Sequence, residues 1–207
     1  MLLKMNTMKK LAAIILAAFV AVSFLACTGE DKPESGIIEN PDIPSNPEPP
    51  ADSKIIVTYF SWGGNTETVA KQIADLTGAD IYRIEPETPY TTDYQTLAYT
   101  IARQELADNA RPALKDKNAN VAAYDYIFIG CPVWWGEAPM IMHTFGEAYD
   151  FSGKTVIPFC TYATSRGTTI DKLNSLTPGA THLSGFGTSG RNTGGIEEWL
   201  KTINMME

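Results

Sequence analysis

The chain is poor in the residues that build metal centres and disulfide frameworks. Among 207 residues stand three cysteines, Cys27, Cys131 and Cys160, and two histidines, His143 and His182. No C-x-x-C pair occurs and the histidines lie far apart, so neither a structural metal site nor a paired-cysteine redox motif is expected. Positive charge is also scarce. Lys and Arg number 16 against 24 Asp and Glu, leaving a net charge of −8. With no basic stripe to hold a phosphate backbone, nucleic acid is excluded as the expected partner. Long hydrophobic runs are missing too. The most apolar stretch, Leu11 to Ala26, has 16 residues, short of the roughly 20 that a spanning helix needs. Repeats and heptads are absent, and a hydrophobic content of 44% suits one ordinary globular core.

What is present falls into three parts. Met8-Lys9-Lys10 followed by the apolar stretch reads as an export leader, with Met1 to Thr7 standing before a second candidate start. It ends Ser23-Phe24-Leu25-Ala26-Cys27, which resembles a bacterial lipoprotein cleavage site and implies residues 1–27 as signal peptide with Cys27 acylated. The alternative is a plain secretory signal in which Cys27 has no role. Residues 28–53 hold six prolines, seven acids and three isoleucines. So little apolar surface cannot sustain folding, and the segment is expected to be a disordered, semi-stiff acidic linker. The third part, 54–207, alternates apolar runs (Ile55 to Phe60, Ile81 to Ile84, Tyr126 to Gly130, Thr155 to Phe159, Ala180 to Gly185) with helical patterns. These fall near Thr66 to Leu76, Tyr94 to Asn109, Pro139 to Tyr149, Thr168 to Leu176 and Gly194 to Ile203. Such alternation predicts an α/β fold, a doubly wound parallel sheet with its ligand beyond the strands' carboxyl ends.

The first strand runs into Ser61-Trp62-Gly63-Gly64-Asn65-Thr66 and then a helix pattern. Glycines let backbone approach an anion, a helix start presents unpaired N–H groups, and Ser61, Asn65 and Thr66 add side-chain donors. An ordinary capped turn would need only one such residue. The loop lacks G-x-G-x-x-G and no G-x-x-x-x-G-K-[ST] occurs, so a phosphate monoester fits better than a dinucleotide or a triphosphate. The third strand leads into Cys131-Pro132-Val133-Trp134-Trp135-Gly136. Two tryptophans in a strand-end loop either cover a flat aromatic ligand, Trp134 being the favoured one, or fill a gap between helix and sheet. Cys131 and Cys160 each follow a β-like run; they read as small buried side chains, or as a redox pair if their strands are neighbours.

Ser61-x-x-Gly64-Asn65-Thr66 resembles the phosphate loop of the flavodoxin family, and Pro132-Val133-Trp134-Trp135-Gly136 resembles the ring-binding loop of one of its subfamilies. The resemblance covers Lys54 to Met206 and implies a five-stranded sheet in the order 2-1-3-4-5 that binds flavin mononucleotide (FMN) non-covalently. It implies a second ring-binding loop at Thr161-Tyr162-Ala163 through Gly167. Tyr162 is expected there as a second stacking face and Arg166 as a charge near reduced flavin, or both as solvated surface. Gly63 stands where the family usually has a hydroxyl, a loss of about 1 kcal/mol unless a backbone N–H compensates. The expected function is electron transfer with a redox partner protein or a small acceptor. The alternatives are an FMN-dependent NAD(P)H or quinone reductase, or a flavin-free binding module. A cofactor that itself accepts electrons needs no catalytic side chain, and none is nominated. A phospho-acceptor receiver is disfavoured because neither strand one nor strand three ends in aspartate. Residues 86–123 exceed a minimal crossover and are read as a lid or partner surface.

Overall fold

A computed structural model describes residues 49–207 together with the two-residue strand β1, Gly36–Ile37. The leader and Cys27 lie outside the described residues. The other strands are β2 (Ile55–Phe60), β3 (Asp80–Ile84), β4 (Tyr126–Pro132), β5 (Thr155–Tyr162), β6 (Thr181–His182) and β7 (Phe186–Ser189). The helices are α1 (Asn65–Thr77), α2 (Tyr94–Thr96), α3 (Ala102–Ala107), α4 (Met140–Ala148), α5 (Thr169–Ser175) and α6 (Ile196–Thr202). Strands β3-β2-β4-β5-β7 lie in that order, all parallel, which is the expected 2-1-3-4-5 sheet.

The central strands are buried on both faces, as a sheet covered by helices on each side requires. On one face Val57, Tyr59, Phe128, Ile157 and Phe159 meet Val69 and Ile73 of α1 and Ile196 and Trp199 of α6. Trp199 stacks on Phe186 at 5.0 Å and gives its indole N–H to the Ser184 carbonyl, 2.8 Å. On the other face Ile56, Ile127, Ile129 and Val156 meet Ile141, Met142 and Phe145 of α4 and Leu173 of α5.

Three features differ from the expectations. The fifth strand is not Ala180 to Gly185: β6 pairs with β5 only as far as Val156↔His182, and pairing resumes at Phe159↔Phe186. Two residues of β5 thus oppose three, a bulge beside Pro158, which has no N–H for the ladder. The proline-rich segment, expected to be unstructured, places Gly36 and Ile37 antiparallel to Gly187 and Phe186, where β7 would otherwise leave a bare edge. The helix expected over Tyr94 to Asn109 is α2 and α3 joined by a π-helical turn, Leu97–Ile101. Its insert is closed at the base, where Glu87 N–H donates to Ala113 O (2.8 Å) and Lys115 N–H to Glu85 O (2.9 Å).

Burial holds the imidazoles of His143 and His182 below their ordinary 6.5; at His143 Arg111 and Lys172 add to this, and Glu137 and Glu147 oppose it. A histidine kept neutral by folding contributes stability above about pH 6.5 and loses it as pH falls further. The melting temperature should therefore decline from pH 7 to pH 5, and His143→Gln with His182→Gln should flatten the profile. A wild-type profile flat across that interval contradicts this.

Candidate functional site

Beyond the carboxyl ends of β2, β4 and β5 lies a cleft of about 850 Å³. Its walls include Ser61, Trp62, Gly63, Asn65, Thr66, Pro132, Val133, Trp134, Trp135, Gly136, Thr161, Tyr162, Ala163 and Gly167. Of the loop residues expected from sequence to bind the cofactor, Gly64 is outside the lining. It is the left-handed residue before α1 (φ 82°), and its role is to turn the chain. Arg166 is exposed and also stands apart from the lining.

The loop after β2 opens directly onto α1, a 13-residue helix with Glu67 in its first turn. Ser61 Oγ accepts the Gly64 N–H at 3.1 Å, which leaves the hydroxyl hydrogen free for a ligand. Thr66 and Thr161 share a hydrogen bond of 2.9 Å, tying this loop to the end of β5. Trp62 leans outward, giving its indole N–H to the Thr91 carbonyl (2.8 Å) and packing on Tyr94.

The loop after β4 makes a tight reversal. Trp134 and Glu137 exchange both backbone hydrogen bonds, at 3.0 and 3.2 Å, around Trp135 (φ 53°) and Gly136 (φ 88°). Positive φ at both central residues marks a type I′ turn, and a tryptophan there is strained. The two indoles differ in surroundings. Trp134 sits edge-on to Phe60 (5.4 Å) and Tyr90 (5.2 Å), against the buried core. Trp135 is 46% exposed, donates to the Ala98 carbonyl at 2.7 Å, and carries the Arg103 guanidinium 4.7 Å from its ring centre. Both indoles line the cleft, Trp134 with its other side against the core and Trp135 more open.

The third loop meets the second at Gly136, whose carbonyl accepts the Thr168 N–H at 2.8 Å. Lys172 of α5 pairs with Glu137 across the same seam, 3.1 Å. Cys131 and Cys160 are register partners on neighbouring strands, both fully buried and both free thiols. Burial raises both thiols above the ordinary range, so they stay protonated and behave as small core side chains.

The 86–123 insert, read from its length as a lid or partner surface, supplies one wall of the cleft through Tyr94, Leu97, Ala98, Tyr99 and Ala102. Tyr90, in the same insert, donates to Glu105 at 3.0 Å, and desolvation holds that carboxyl above its ordinary range. Sequence reasoning missed Arg191, after β7, whose guanidinium reaches Asn65 Oδ1 (3.0 Å) and the Gly63 carbonyl (3.2 Å).

Comparison with known proteins follows the same boundaries. A flavodoxin family model matches residues 54–203. A solved protein from Bacteroides eggerthii is 36% identical, covering 73% of this chain and 98% of its own, with a TM-score of 0.65. One from Bacteroides uniformis is also 36% identical, covering 72% and 98%, with a TM-score of 0.66. A Lactobacillus acidophilus flavoprotein solved in complex with FMN shares 23% identity over 71% of this chain and 98% of its own (TM-score 0.57), a likeness of fold alone. No curated protein matches the chain. A family model that spans the domain from β2 to the end of α6, and two relatives 36% identical over nearly their full length, show that the chain belongs to the flavodoxin family.

Proposed function

We propose that the cleft binds FMN non-covalently and that the protein uses it to carry electrons. The observation that carries this reading is the chemistry of the walls: in a chain of net charge −8, no charged side chain among the described residues lines the cleft. Ser61, Asn65, Thr66 and the start of α1 offer donors at one end, while Trp134, Trp135 and Tyr162 offer rings at the other. That division fits a flat aromatic group bearing a terminal phosphate. FMN bound there would supply the one- and two-electron chemistry. The protein's part is to hold the phosphate at the helix start, to seat the ring between the 132–136 and 161–167 loops, and to exclude water with the insert.

Titrating the protein with FMN should give a perturbed flavin spectrum and saturation at micromolar concentrations or below. Riboflavin should bind at least tenfold more weakly, since α1 would have no anion to face. Equal affinity would remove the phosphate site, and no binding of either would remove the function.

One observation favours a second reading, an FMN-dependent reductase of quinone-like acceptors. Tyr94, Tyr99 and Trp135, 57%, 52% and 46% exposed, gather at the cleft and touch one another edge-on in sequence. Such a rim suits a flat acceptor as well as a partner protein.

The N-terminal sequence supports an extracytoplasmic protein tethered through lipid on Cys27, with the acidic linker as spacer. One acyl chain binds membranes only marginally, so the multiple acylation of a bacterial lipoprotein would be needed for stable retention. Wild-type protein should then fractionate with membranes, and Cys27→Ser should be released or left with its leader uncut. A processed, soluble wild type would leave Cys27 without a role.

A further inference from the structure

Two guanidinium groups grip the 61–66 loop from its outer side. Arg83 on β3 donates to the Ser61 carbonyl at 3.0 Å and to Glu67 at 3.1 Å. Arg191 donates through Nε to Asn65 Oδ1 at 3.0 Å and through a terminal nitrogen to the Gly63 carbonyl at 3.2 Å. Arginine has no acceptor, so the oxygen of the Asn65 amide must face Arg191, and its NH2 is left for the cleft that Asn65 lines. Ser61 follows the same logic, its oxygen taken by the Gly64 N–H and its hydrogen left over. Each oxygen thus has an acceptor lone pair engaged within the protein, and each side chain keeps a donor for a ligand.

Gly63 offers no side chain, and nothing lies within 4 Å of the place where its Cβ would stand. No neighbouring group fills that position. Arg83 shares Glu67 with Lys71, and among the described residues no carboxylate forms a salt bridge with Arg191, so positive charge stands beside the loop.

We propose that Arg191 is the positioning residue that makes this loop selective for a phosphate monoester dianion. Its fork fixes the Asn65 amide with donors toward the ligand and anchors the loop at the Gly63 carbonyl. The inference rests on the FMN reading of the cleft, and it assigns a role to a residue that the three loops do not contain.

The test uses the full chain, titrated with FMN and with riboflavin. Arg191→Gln is expected to weaken FMN by about tenfold or more, the loss of charge-assisted bonds, while riboflavin changes by no more than about twofold. Arg191→Lys should lose nearly as much, because one ammonium cannot bridge both acceptors. Adding Asn65→Ala to Arg191→Gln should cost little more, since the two act as a unit. An unchanged FMN-to-riboflavin ratio in Arg191→Gln, a ratio preserved in Arg191→Lys, or additive losses would each overturn the proposal. Inorganic phosphate provides a separate readout without flavin: it should raise the melting temperature of flavin-free wild type and not of Arg191→Gln, and equal shifts would overturn it. If wild type binds no FMN, the cofactor reading fails while the phosphate measurement still decides Arg191.

Discussion

Replacing Gly167 by alanine is expected to weaken FMN binding by at least tenfold while leaving the domain folded. A Cβ built there stands 1.9 Å from the Gly136 carbonyl oxygen and 2.7 Å from its carbon. These are backbone atoms, so no rotamer change relieves the contact, and the two ring loops must separate. The Thr168 N–H to Gly136 hydrogen bond that joins them would break in the process. Left-handed φ (53°) adds a local cost of about 1–2 kcal/mol. Gly153→Ala is the matching control: φ is 73°, nothing lies within 4 Å, and the site is a turn before β5 remote from the cleft lining. It should lose only the stability that the positive φ costs and keep its FMN affinity. If the two variants bind FMN equally, contact between the loops does not shape the cleft.

The parts of the site that lie next to a strand end were legible, because strand period and loop composition are local signals. Ser61 to Thr66 and Pro132 to Gly136 could be placed from a β-run followed by glycine, proline and aromatics. What escaped is non-local. Arg191 lies 126 residues beyond Asn65 and reaches it with a long, exposed side chain from the far strand; a lone arginine in a polar turn carries no pattern. Trp134 and Trp135 are adjacent and chemically identical, and only the I′ turn sends one against Phe60 and the other out to the insert. The fifth strand was misplaced for a related reason. The apolar run around Leu183 packs in the core, yet Pro158 on the neighbouring strand interrupts the ladder, and the pairing that defines β7 begins only at Phe186. That Cys131 and Cys160 would face each other depended on β4 and β5 being neighbours in register, a consequence of topology.

Trp135→Gly is expected to restore the fluorescence of bound FMN and to weaken its binding by about tenfold, with little loss of stability in the flavin-free protein. Glycine is the informative substitution because φ is positive at 135 and 136, and glycine preserves the turn that alanine would leave strained. The removed indole gives up its bond to Ala98 and its contact with Arg103, and the relief of backbone strain offsets part of that loss. An indole against the flavin ring quenches its emission by donating an electron, so recovery of emission reports which ring is in contact. Trp134→Ala should behave oppositely. It leaves a cavity between Phe60 and Tyr90, costing about 3 kcal/mol and several degrees of melting temperature, with the smaller change in emission. Should Trp134→Ala abolish the quenching at unchanged stability while Trp135→Gly alters nothing, the ring seated on the cofactor is Trp134 and the exposed indole serves the insert alone.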